Sequence, residues 1–331
     1  ATLYQNRFVK PRFMHVVDHL LNTKNPTVSL EIIPPKRGRN ITKIYDAIES
    51  VIPFNPPFID VTSHAAEVVV EEMPGGIFKR KVKRKSPGTF GLCAAIKYKY
   101  NLEPVPHILC GGFTREETED ALIELNYLGI ENILAIRGDK QNSRPIPKDR
   151  STNIYAIDLV SQINDMNHGR YIDELIDAAK TNFCIGVACY PEKHFESPNI
   201  DNDLRILKEK QDNGAHYAVS QMFFDSKKFI DFIQRARDYG ITMPIIPGMK
   251  IMTRKNHLNI LPSIFHIDIP IELSERMNHA QTKEEQTEVG VEWAFRQSIE
   301  LLEAGFPYLH FYIMQNTKPF ISLMNKMKVT I

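Results

Sequence analysis

The sequence has one tryptophan, four cysteines and no excess of charge of either sign. Lysine plus arginine number 41 against 40 for aspartate plus glutamate, a net charge of +1. No global basic field draws the chain to nucleic acid or a membrane surface. No apolar stretch approaches a membrane span, and residues 1–10 lack the apolar core of a signal peptide. Cys93, Cys110, Cys184 and Cys189 form no CxxC pair. Three of them sit in or beside apolar strand-like runs, so buried free thiols and a reducing cytoplasm are expected. No His/Cys spacing suggests a metal. No GxGxxG follows the first strand candidate, which argues against a dinucleotide-binding half-sheet. No low-complexity linker divides the 331 residues, so one domain over 1–331 is expected.

What is present is alternation. Apolar, β-rich runs at 28–33, 58–62, 107–110, 132–136, 183–189, 217–224, 245–250 and 308–314 are separated by amphipathic stretches. Several runs are continuously apolar, as expected of strands buried on both faces. Thr114-Arg115-Glu116-Glu117 reads as a capping box, with Gly129 as the stop of its helix. Further helices are expected around Asp203–Gln211 ending at Gly214, over 226–239 before Gly240, and over 288–304 before Gly305. Eight such repeats imply an α/β fold, a (β/α)8 TIM barrel, with an N-terminal helix. Two extended runs flank Pro74-Gly75-Gly76 and predict a β-hairpin inserted after the second strand.

A barrel confines its chemistry to the carboxyl ends of its strands. The polar residues there are Glu31, Thr62, His107, Arg137 with Asp139, Tyr190 with His194, and Gln221. Arg137-Gly138-Asp139 sets a cation, a close-approach backbone and a carboxylate at one strand mouth. Any one of these residues reads equally as a hydrogen-bonded rim residue; two carboxylates, an arginine and two histidines at one mouth are harder to explain as decoration.

Several stretches together resemble the methylenetetrahydrofolate reductase family, in its bacterial, catalytic-domain form. They are Ser29-Leu30-Glu31-Ile32-Ile33-Pro34-Pro35, Val61-Thr62, Pro106-His107, Ala135-Ile136-Arg137-Gly138-Asp139, Ala188-Cys189-Tyr190-Pro191-Glu192-Lys193-His194, Gln221-Met222-Phe223-Phe224-Asp225, Ile246-Pro247-Gly248 and His310-Phe311-Tyr312. The resemblance implies a flavoprotein holding FAD, which reduces 5,10-methylenetetrahydrofolate to 5-methyltetrahydrofolate with NADH or NADPH. It implies a homo-oligomer, dimer or tetramer, in the cytoplasm. Glu31 matches the general acid that opens the imidazolidine ring, and its apolar neighbours favour a raised pKa. Asp139 matches the carboxylate that stabilises the resulting iminium. Thr62, His107, Arg137, Gly138, Asp139, Tyr155, Ala156, Ala188, Tyr190, His194, Asp203 and Lys210 match FAD-binding positions. Glu31, Gln221, His257 and Leu261 match substrate-binding positions, the last two where some bacterial members carry glutamine and phenylalanine.

The chain departs from the pattern at Ile206, Glu209 and Asn316. Many members place at this last position an arginine that reaches the folate glutamate, and asparagine lacks that charge. The basic hairpin strand, with Lys79, Arg80 and Lys83, is a candidate replacement, against the plainer reading of a solvated face or subunit contact. The chain ends soon after the eighth strand, so no S-adenosylmethionine-binding regulatory domain, and no inhibition by that metabolite, is expected. Two other readings stand beside the reductase. One is a pterin- or corrinoid-linked methyl transferase barrel without flavin; the other is a flavin-binding barrel that has lost turnover and serves as a partner subunit, against which the retention of both Glu31 and Asp139 argues. An accessory subunit as electron donor in place of the nicotinamide is also left open.

Overall fold

The computed structural model describes residues 14–84, 86–138 and 145–330. Eleven strands are present among them: β1 (Thr27–Ile32), β2 (Phe58–Val61), β3 (Glu67–Met73), β4 (Ile77–Lys83), β5 (Glu103–Leu109), β6 (Asn132–Ile136), β7 (Cys184–Cys189), β8 (Tyr217–Ser220), β9 (Ile245–Ile246), β10 (Gly248–Met249) and β11 (Tyr308–Met314). Nine of these form one parallel sheet in the order β10-β11-β1-β2-β5-β6-β7-β8-β9. Pro247 separates β9 from β10, and its carbonyl accepts from the His310 amide at 3.0 Å. The two short pieces are therefore one interrupted strand, and the ring closes as the expected (β/α)8 barrel.

The strands differ from expectation in three places. β5 begins at Glu103, four residues earlier than its apolar run suggests, through Pro104 and Pro106. Cys110 donates to Ile136, so even-numbered residues of this strand face β6. The β6 ladder begins only at His107, after both prolines, so their missing donors cost no bond there. β8 stops at Ser220, short of the expected 224. Beyond it, the Phe223 and Phe224 carbonyls are taken by Gln297 Nε2 and Trp293 Nε1, both at 2.9 Å, in place of a ladder. The seventh strand is broken at Pro247. Among the helices, Thr114 and Glu117 form the expected reciprocal cap. The long helix Lys283–Glu303 starts five residues before the predicted 288, at a second capping box from Thr282 to Glu285.

Strand alternation sends every second residue into the barrel. At the amino-terminal end the interior is apolar: Phe58, Val105, Leu134, Cys184, Tyr217, Ile246 and Tyr308 cluster with Val16 of the N-terminal helix Val16–Asn22. Asn132 ties this plug down, accepting from the Val16 amide at 2.8 Å and donating to the Met14 carbonyl at 3.1 Å. Gly186 is required here, because a Cβ would lie 2.3 Å from the Tyr217 ring. The second apolar layer lies between strands and helices. All four cysteines are buried and free, as expected. No helix among the described residues is long and apolar enough to cross a membrane.

The predicted hairpin is present as β3 and β4, antiparallel from Glu67↔Lys83 to Met73↔Ile77. Gly75 and Gly76 turn it with φ of +89° and +72°. It follows the carboxyl end of β2, and every residue of β4 is exposed.

Candidate active site at the strand mouths

Glu31 lies on β1 with its side chain turned into the barrel, between the outward-facing Leu30 and Ile32. Burial raises its pKa to about 7; Asp60 adds to the shift, while His107 and Lys250 oppose it. His107 Nε2 stands 3.6 Å from Glu31 Oε2 and 3.4 Å from Asp60 Oδ2. Asp60, on β2 and 1% exposed, is also pushed up to about 7 by burial. Among the described residues, neither oxygen of Asp60 has a hydrogen-bond partner, nor has His107 Nε2 or His310 Nε2. His310 is held through Nδ1 by Ser29 Oγ at 2.8 Å. Burial holds both imidazoles below their ordinary pKa. Lys250 closes this side, donating to the Tyr312 carbonyl at 2.6 Å, its pKa lowered to about 8 by burial. Thr62, just past β2, binds the Ile32 carbonyl through its amide at 3.0 Å and contacts His64 through its hydroxyl at 3.2 Å.

A second group gathers beyond β6 and β7. Gly138 takes φ +78°, a left-handed conformation that glycine reaches without strain. Arg137 pairs with Glu196 and lies over the Tyr155 ring at 5.8 Å. Tyr155 and Ala156 open the helix Ala156–Asn167, where Asp158 accepts from the Tyr155 amide at 2.9 Å. Tyr190 meets His194 edge-on at 4.6 Å. Asp203 accepts from the His194 amide at 2.7 Å and from Ser197 Oγ. Lys210 is buried, its Nζ donating to the Ala188 carbonyl at 3.0 Å, and burial lowers its pKa. The ten candidates Thr62, His107, Arg137, Gly138, Tyr155, Ala156, Ala188, Tyr190, His194 and Lys210, with Asp203, therefore lie at or beside adjacent strand mouths. Asp139 lies outside the described residues.

The third group divides. Gln221 follows β8, its amide on the Cys189 carbonyl at 2.8 Å. His257 lines a cleft of about 380 Å³ together with Lys250, Arg254, Tyr312, Gln315 and Asn316. Leu261 does not line it; it is buried with Met222, Phe224, Met252 and Trp293. Residue-type reasoning passed over Asp60 and Lys250. The available signal for Asp60 was a lone carboxylate inside the run Phe58-Ile59-Asp60-Val61, where an unpaired charge is costly.

Fold and site together define a (β/α)8 barrel that carries a protonatable carboxyl, one cation-bearing cleft and a second group of cationic side chains at the carboxyl ends of its strands. The family model for methylenetetrahydrofolate reductase matches residues 16–328. The chain belongs to that family. It is 29% identical over 310 residues to methylenetetrahydrofolate reductase 1 of Schizosaccharomyces pombe, covering 92% of this chain and 47% of that one. It is 27% identical over 295 residues to 5,10-methylenetetrahydrofolate reductase of Salmonella typhimurium, covering 88% and 87%. The chain spans about half the length of the fungal and plant relatives it matches. A solved structure of an uncharacterized Clostridium thermocellum protein, described as binding two copies of 5-methyl-5,6,7,8-tetrahydrofolic acid, shares the fold with a TM-score of 0.56 at 15% identity, over 95% of this chain and 99% of that one.

Proposed function

We propose that this chain reduces 5,10-methylenetetrahydrofolate to 5-methyltetrahydrofolate, with FAD as the carrier and NADH or NADPH as the reductant. The observation that carries the reading is Glu31: a carboxyl at a barrel mouth, in a chain of this family, whose pKa burial raises to about 7. A general acid works best when its pKa lies near the working pH. Protonated Glu31 gives its proton to N10 of the folate, and the five-membered ring opens to an N5 iminium. The buried Glu31 carboxylate left behind faces Lys250 and His107. In this reading Asp139 adds a negative charge that stabilises the iminium, and Gln221 offers paired donor and acceptor atoms to the pterin edge.

The residues beyond β6 and β7 fit a dinucleotide flavin. Lys210 and Arg137 supply two cations for a pyrophosphate, and the helix Ala156–Asn167 begins beside Arg137. Gly138 allows close backbone approach, and a Cβ there would meet Leu109 at 3.4 Å. When bound, FAD supplies the two-electron link between the nicotinamide and the iminium carbon. At the far end of the site, Arg254 is exposed in the cleft that holds Asn316. In this reading Arg254 meets the folate glutamate in place of the arginine that many members carry where this chain has Asn316.

Anaerobic stopped-flow absorbance near 450 nm tests the proposal. NADH or NADPH should bleach the flavin, and methylenetetrahydrofolate should restore it. A flavin that nicotinamide leaves oxidised, but that folate reoxidises after chemical reduction, would assign the electrons to another donor. A protein that binds no FAD would overturn the reading in favour of a methyl transferase.

A further inference from the structure

Three buried ionisable groups share one nitrogen. His107 Nε2 lies 3.4 Å from Asp60 Oδ2 and 3.6 Å from Glu31 Oε2, and it makes no hydrogen bond at its present distances. A neutral imidazole nitrogen either donates one N–H or accepts one proton. It cannot satisfy two carboxylates at once. Glu31 and Asp60 are also register partners on adjacent strands, so the backbone holds both against the same ring. Among the described residues, Asp60 has no lysine or arginine partner, and its two oxygens are buried without a hydrogen bond. An ionised carboxylate in that position carries a large desolvation penalty. Its stable state is the acid.

We propose that the proton donor of this site is a two-carboxyl unit, in which Asp60 acts through His107 to support proton release from Glu31. The inference rests on the reading of Glu31 as the general acid. As the Glu31 O–H bond breaks and the N10–H bond of the folate forms, the Asp60 O–H bond breaks and a proton binds His107 Nε2. The new Glu31 carboxylate then faces an imidazolium in place of a neutral ring. No electrons move, and net charge over the three residues falls by one, as the donated proton requires. After product leaves, one proton from solvent returns through Glu31 and the ring passes its own back to Asp60. Asp60 does not touch the folate in this scheme. It is a positioning residue that sets how readily Glu31 gives its proton away.

The surroundings are compatible with this assignment. The other titratable groups that act on the unit are His310, Tyr312 and Tyr217 from β11 and β8, Cys93 from the helix Thr89–Tyr100, and Lys250 after β10. Burial raises the tyrosines and the cysteine and lowers His310, so all four are neutral near pH 7. Lys250 is the one cation in this set, and it acts on Glu31 rather than on Asp60. Burial keeps the His107 ring neutral and able to accept, and keeps Asp60 protonated up to about pH 7.

The test is the pH dependence of the folate half-reaction, followed as flavin reoxidation in the holoenzyme. In the native protein the rate constant should require two protons, so its logarithm falls with a slope approaching two above pH 7. The rate should also respond to mixtures of light and heavy water with a bowed curve, as two transferring protons demand. D60N should lower kcat by about tenfold to a hundredfold, at or below the low end of what a general acid itself contributes. It should leave KM for folate within about twofold, reduce the slope to one and straighten the heavy-water curve. H107Q, whose amide cannot accept a proton, should behave alike, and D60E should recover the second proton. A native slope of one overturns the proposal whatever the variants do. So does a D60N protein that keeps the native slope, or that loses KM and kcat together. A native protein whose reduced flavin methylenetetrahydrofolate fails to reoxidise overturns the functional reading itself, a result distinct from any of these.

Discussion

Two sets of buried carboxyls, one at each end of the barrel, sit in different surroundings. At the amino-terminal end, Glu103 of β5 is met by Lys97 through both oxygens, at 3.2 and 3.4 Å, with both side chains almost wholly enclosed. At the mouth, Glu31 and Asp60 share an imidazole, and among the described residues no lysine or arginine stands within ion-pair distance of either. An ion pair answers the desolvation of its charges with mutual attraction. A carboxyl without one answers by keeping its proton. Burial raises the pKa of Glu103 too, but Lys97 opposes that rise at contact distance, whereas Glu31 and Asp60 are carried up to about 7.

Removing the acid should have the largest effect. Glu31→Gln is expected to slow the folate half-reaction by about 10²- to 10⁴-fold, while nicotinamide still bleaches the flavin; stopped-flow absorbance separates the two. Breaking the pair at the other end should affect stability alone. Lys97→Met leaves Glu103 buried without its cation and should cost about 3–5 kcal/mol in urea unfolding. The pH profile of the half-reaction should be unmoved, and adding Glu103→Leu should recover much of the loss.

Stability against pH sharpens the contrast further. Glu31 and Asp60 have folded pKa values of about 7, above the 4.5 and 3.8 of the free groups. Raised carboxyl values mean that the native state binds more protons than the unfolded chain. Their contribution is therefore complete below about pH 4, declines as pH rises, and is gone above about pH 7. At about 1.4 kcal/mol per pH unit, Glu31 alone amounts to roughly 3 kcal/mol. Urea midpoints measured from pH 4.5 to 8 should fall accordingly, and Glu31→Gln should flatten the decline.

The smallest effects concern the folate tail. Arg254→Gln should raise KM for polyglutamylated folate several-fold with kcat unchanged. Neutralising Lys79, Arg80 and Lys83 on the exposed hairpin should raise it by less, and only at low salt, since solvated charges are screened within about 10 Å at 0.1 M. A hairpin effect larger than that of Arg254 would move the tail away from the cleft.

Much of this was legible in residue order. Continuous apolar runs marked five of the eight barrel strands closely, because buried parallel strands need apolar residues on both faces. Thr114 and Glu117 announced their helix, and Pro74-Gly75-Gly76 announced the hairpin. What escaped followed from partners distant in sequence. β5 runs through two prolines because its ladder to β6 begins only after them. β8 ends early because Trp293 and Gln297 supply its carbonyls. Leu261, matched to a substrate contact, is turned into an apolar cluster by residues 30 to 40 positions away.

The sequence by itself determined the alternation of strand and helix, and hence the barrel, the hairpin and the face on which Glu31 lies. These depend on period, caps and turns, which act over a few neighbouring residues. Only the tertiary structure decided which carboxyls are charged. The environment of Asp60 is made by β1, β5, β8 and β11, and that of Glu103 by a lysine six positions away in another element. Proton affinity depends on burial and on the charges within a few ångströms, and closing the barrel is what brings them there.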